Sequence, residues 1–293
     1  MEVIPAYDLD VLVRCFTRQF ETLARMGYME DSNIQHAPPG GWDDSQIVAK
    51  SLRIMGRNET VIDLLRHLPY LVHECEVLPE TTPIKYLGRK WDETIADKMA
   101  KSKSLLDFYP LMPFDAEPEP GMVCLTCGRD GVWLLIGTIE GYVYPCAPHW
   151  NVHRAQEDPP WLWYKPVAIE AYFDGIHRQL LSLDIIPMPH VIHERKRGPP
   201  DELEHQIYMA GEQEAIPVKK IFQGHGWPNF DIFRKEGCIK ATNEARLKVV
   251  EKRTSRWREE EIKDAEERGD IEEKEKSELR LKKAQIEYNH EWE

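Results

Sequence analysis

The sequence predicts an α+β fold, with a small antiparallel or mixed sheet flanked by helices and followed by a charged helical tail. Three observations carry this expectation. Apolar residues recur at helical spacing in three opening segments. Short apolar runs separated by glycine-bearing breaks follow over residues 122–144. From about Thr242 onward, acids and bases alternate with few apolar residues between them.

The first helix is expected over residues 9–26, where Leu9, Leu12, Val13, Phe16, Phe20 and Leu23 share a face, Asp8 can cap and Gly27 can stop. After the turn-rich HAPPGGWDD, Ser45 is placed to cap a second helix through Ile47, Val48, Leu52 and Met55, closed by Gly56. Asn58 is placed to cap a third over 59–68, its Val61, Ile62 and Leu65 facing inward until Pro69 ends it. An extended piece over 83–87 and an amphipathic helix over 92–101 come next. The acidic, proline-rich stretch 114–120 then leads into apolar runs at 122–126, 132–138 and 142–144. Their breaks, Gly128-Arg-Asp-Gly131 and Glu140-Gly141, carry the glycines of tight hairpins, so an antiparallel meander is expected.

A long helix is predicted over 167–183, with Ile169, Tyr172, Phe173, Ile176, Leu180 and Leu183 on its apolar side and Pro187 and Pro189 as the stop. The basic run and Gly-Pro-Pro of HERKRGPPDE suggest a boundary. Helical pieces over 202–210 and 218–223 and a turn at 224–228 follow. The tail reads as one solvated helix, because Glu259/Lys263, Glu272/Lys276 and Glu278/Lys282 are acid-first pairs one turn apart. Leu247, Val250 and Trp257 make too short a seam for a coiled coil. The expected domains are residues 1–189, a linker with a small helical extension over 190–241, and the tail 242–293.

Charge and composition narrow the function classes. Lys+Arg 38 against Asp+Glu 51 gives −13, a surface that repels polyanions, so nucleic acid is not an expected partner. The longest apolar runs fall well short of the roughly 20 residues a membrane span needs. The N-terminal MEVIPAYDLD carries acids where a signal peptide needs bases, so the expected setting is cytoplasm or nucleus, without a membrane. Six cysteines at irregular spacing read as reduced thiols rather than a secreted disulfide framework. The sequence contains neither G-x-S-x-G nor a phosphate-binding glycine loop opening a helix, so no catalytic residue and no cofactor are expected.

Two constellations qualify as candidate sites. Cys124, Cys127, Cys146 and His149 form C-x2-C-x18-C-x2-H, a spacing that suits zinc held on two knuckles. A zinc-containing protein or metalloenzyme centred on these four is therefore the alternative reading. Against it, Cys124 alternates with Val123 and Leu125 as a small core residue would. His190 and His193 could add a pair, but two residues three apart on an extended piece face opposite ways. The second constellation is aromatic. Trp161, Trp163 and Tyr164, with Arg154 close by in sequence, are residue types enriched at binding hot spots, on a segment between sheet and helix where function tends to sit. They are the expected partner-binding residues, and the partner is expected to be another protein. The competing reading is that the aromatics cover one end of the sheet.

The segments GWDDSQIVAKSLRIMGRNETVIDLLRHLPY and PLMPFDAEPEPGMVCLTCGRDGVWLLIGTIEGYVYP, with the HGWPNF turn, resemble a group of uncharacterised proteins of filamentous fungi, and that resemblance implies no activity. The order of helices ending at Leu68-Pro69, the hairpin with Gly141 at its turn and the closing helix 167–183 distantly resemble the SUKH (Smi1/Knr4) domain over about residues 9–187. That resemblance implies an α+β protein-binding module, used in fungal cell-wall signalling or as a toxin-neutralising immunity protein, with no catalytic residue. The proline-rich insert before the sheet and the segment after His190 depart from that domain.

Overall fold

The structure is a computed structural model that describes residues 7–88, 95–102, 118–147, 159–193, 201–203 and 205–291. The chain is α+β, and the described residues form two compact units, Met1–Pro187 with Gln206–Ala210, and Met188–His205 with Gly211–Glu293.

In the first unit, Asp8 is extended and its carboxylate accepts the Val11 N–H at 3.1 Å, satisfying one of the orphan donors that open helix α1, Leu9–Arg25. Leu12, Phe16, Phe20 and Leu23 are buried on one face, as the periodicity requires, and Phe16 meets Phe20 and Phe173 edge-on at 5.1 and 5.6 Å. Gly27, at φ 81, turns the chain away into strand β1, Ile34–Gln35.

Helix α2 is Ala49–Ile54, shorter than predicted, and Ser45 does not cap it. The backbone before it is used sideways instead. Ile47 bridges Leu87, the Val48 N–H donates to the Tyr86 carbonyl at 3.0 Å, and Gly88 N–H donates to Gln46 at 2.6 Å. Helix α3, Glu59–His67, starts where expected, with the Asn58 side chain accepting the Val61 N–H at 2.9 Å, and Leu68 before Pro69 is already extended. Strand β2, Tyr70–Leu71, pairs β1. Strand β3, Thr82–Pro83, and the Leu87 bridge divide the extended piece expected over 83–87. Helix α4, Ile95–Lys101, is the later part of the amphipathic segment; residues 89–94 lie outside the described set.

The meander is present. Strands β4 (Met122–Cys124), β5 (Thr126–Cys127), β6 (Trp133–Gly137), β7 (Tyr142–Cys146) and β8 (Val167–Ala168) include a four-stranded antiparallel sheet in the order β4-β6-β7-β8. Strand β5 pairs with β3. Register sets Cys124 beside Leu135, Leu135 beside Tyr144, and Trp133 beside Cys146, and all five residues of β6 are buried. Gly141, at φ 72, serves the hairpin turn as expected. Gly128 and Gly131 serve a different need. A Cβ at either would sit 1.9 or 2.1 Å from the Glu80 carbonyl oxygen, so they are glycines because another stretch of backbone passes against them.

Helix α5, Ile169–Ser182, begins two residues late because Val167 and Ala168 are taken by the sheet edge as β8. It ends at Leu183, which is left-handed at φ 57, before the prolines that were expected to stop it. Pro187 lies instead within strand β9, Ile185–Met188.

Strands β10 (Val191–His193) and β11 (Asp201–Leu203) form an antiparallel hairpin of the second unit. Strand β12, Gln206–Met209, returns to the first unit and pairs β9. The predicted helix over 202–210 is therefore wrong. Ile207 is buried between half-buried Gln206 and Tyr208, a period of two rather than 3.6, and its N–H donates to the Glu76 carboxylate at 2.7 Å.

Helices α6 (Ala215–Gly224), α7 (Lys235–Arg268) and α8 (Ile271–Glu291) complete the second unit. The tail is not one solvated helix. Gly269, left-handed at φ 71, caps α7, its N–H bonding Glu266 and the next N–H bonding Ala265. Asp270 then caps α8 by accepting the Glu273 N–H at 3.1 Å. The helices fold back as a hairpin with Ala265 and Ser277 fully buried, small residues that allow close approach. Leu247 is buried, whereas the side chains of Val250 and Trp257 lie outside the described set.

Candidate partner-binding surface

The aromatic segment after β7 is a 3-10 turn, Pro160–Trp163, entered from extended Pro159. Its backbone is tied by Leu162 N–H to the Pro159 carbonyl at 3.0 Å and Tyr164 N–H to the Trp161 carbonyl at 3.2 Å. Successive side chains on such a turn point about 120° apart, so neighbours cannot share an environment. Trp161 is 2% exposed and Leu162 is 56% exposed. Trp163 and Tyr164 are half-buried, and the Tyr164 hydroxyl donates to the Ala147 carbonyl at 2.7 Å, fastening the turn to the end of β7. Burial pushes the Tyr164 hydroxyl upward in pKa, with Cys146 adding to the shift and the Ala147 bond opposing it. The expectation that Trp161 anchors a partner is thus corrected, because its ring is core. Trp163 remains partly accessible, and Leu162, which the sequence reading passed over, is the apolar side chain that faces outward. Arg154 lies outside the described residues.

Three members of the cysteine constellation lie on strands β4, β5 and β7. Cys124 and Cys146 lie on buried strand positions. The Cys124 thiol donates to the Thr126 carbonyl at 3.1 Å and the Cys146 thiol to Tyr144 at 3.4 Å. Cys127, half-buried, has its sulfur 3.5 Å from the Thr82 hydroxyl. Burial pushes the Cys124 thiol well above its ordinary value, with Cys146 adding to it, and pushes Cys146 to about 12. Burial at these two positions favours the neutral thiol. Among the described residues no three His, Cys, Asp or Glu side chains form a group that could hold a metal ion. Cys124, Cys127 and Cys146 are strand residues, Cys124 and Cys146 buried and Cys127 half-buried; His149 lies outside the described set.

No family model matches the chain, and none of the curated proteins or solved structures compared with it does. No described helix is long and apolar enough to cross a membrane.

Other polar clusters support structure. Asp44, in the GGWDD loop, accepts from Arg53 at 2.8 Å and from Arg66 at 2.5 Å, and Arg53 grips Glu59 with two bonds of 2.7 and 2.9 Å. The Arg66 bond, then the Arg53 bond, holds the Asp44 carboxyl below its ordinary range. This network ties the loop to α2 and α3. In the second unit, His190 stacks on His205 at 5.7 Å.

A second apolar feature, in the second unit, was legible only as a turn. Between α6 and α7, Trp227 packs on Phe222, Phe230 and Phe233 at 6.2, 5.2 and 5.1 Å, and this aromatic base carries Phe230, 42% exposed, and Ile232, 61% exposed. The signal was available in HGWPNFDIF: four large apolar residues in nine are more than a turn requires.

Proposed function

We propose that the chain is a non-catalytic protein-binding or regulatory module, of the kind the SUKH resemblance implies, working in the cytoplasm or nucleus. The observation that supports this reading is the ordered turn Pro160–Trp163. There Leu162 is held out to solvent by the burial of Trp161 and by the Tyr164 bond to Ala147. An apolar side chain presented on a fixed backbone loses little freedom when a partner covers it, which is what makes a contact favourable. The strongly shifted groups fit a binding role as well. Tyr70, Tyr86 and Cys124 are moved upward chiefly by burial in the core, where each hydroxyl or thiol donates to a backbone carbonyl.

The test is partner capture from extracts of the source cells by the intact protein, with Leu162→Asp and Trp163→Ala compared against the wild type. Both variants are expected to keep the wild-type melting temperature within a few degrees and to lose the captured partner. Undiminished capture by both variants would remove this turn as the working surface.

A further inference from the structure

We draw no further inference here: the strongest candidate, the loop between α6 and α7 that holds Phe230 and Ile232 outward over the buried Trp227 ring, is an exposed apolar patch, and nothing in the structure shows what covers it.

Discussion

Trp161 and Leu162 are adjacent in sequence and opposite in burial. Composition marks the segment as unusual but does not say which of its side chains turns inward, because a single turn is too short to show a periodicity. The energetic consequence is asymmetric. Trp161→Ala empties a filled core position and is expected to cost about 3–5 kcal/mol, whereas Leu162→Ala changes an exposed side chain and is expected to stay within about 0.5 kcal/mol. Urea unfolding of the two variants measures this, and comparable losses would mean that Leu162 is not the outward residue. Cys124 was legible as a ligand by spacing and as core by strand alternation, whereas Cys146 was legible only by spacing, and the structure gives it a buried strand position beside Trp133. Cys146→Ser is expected to destabilise by about 1–3 kcal/mol and to leave the zinc content of the purified protein unchanged, as metal analysis can establish. His177 adds a pH dependence. It lies against α1, with Thr22 Oγ1 3.4 Å from its Nδ1 and the Arg18–Asp174 pair nearby. Burial, reinforced by Arg18 and opposed by Asp174, lowers its pKa. The unfolded chain therefore binds the proton more readily, so this stabilising contribution is present above the ordinary value of about 6.5 and is lost as pH falls through the lowered folded value. His177→Gln is expected to flatten the melting temperature between neutral and mildly acidic pH; an unchanged slope would place the dependence on other groups.

Elements with a local cause were read correctly, and elements decided by distant partners were not. Helices α1 and α3 follow from apolar periodicity and side-chain caps at Asp8 and Asn58, all within a few residues of one another. The start of α2 could not be read that way, since the Tyr86 and Leu87 backbone, some forty residues on, claims Ile47 and Val48. The same holds for β12, whose short run looked helical until paired with β9. The tail was misread for a nearer reason: Gly269-Asp270 is a helix stop followed by a helix cap, and a charge pattern continuing on both sides concealed it. The glycines now divide by mechanism. Nothing lies within 4 Å of a Cβ built at Gly269, so Gly269→Ala pays only for its left-handed backbone, about 1 kcal/mol. At Gly131 a Cβ would overlap the Glu80 carbonyl oxygen, so Gly131→Ala must displace backbone and is expected to cost several times more. Thermal melts of the two variants rank them, and the reverse order would mean that the Glu80 stretch yields easily.

At the scale of the whole molecule, the basic run after His190 suggested a boundary, but sequence alone could not show that the chain crosses it, leaves and comes back. Residues 206–210 belong with the first unit, where β12 pairs β9 and the Ile207 N–H meets the Glu76 carboxylate. A cut at 242 would pass through α7 and remove Arg246, which is buried and donates to the Pro189 carbonyl, together with Leu247. Truncation there is therefore a poor way to isolate the first unit. The return of β12 indicates a better one. A chain ending at Ala210 retains every described strand of the first unit and is expected to unfold in a single cooperative transition. A chain ending at His205 loses the partner of β9 and the Ile207 N–H bond to the Glu76 carboxylate. For a chain of this size each kcal/mol lost lowers the melting temperature by about 2–4 °C. The shorter chain is thus expected to melt several degrees below the longer one, with calorimetry as the readout. Equal melting temperatures would show that β12 adds nothing to the first unit's stability, and the return crossing would then need another explanation.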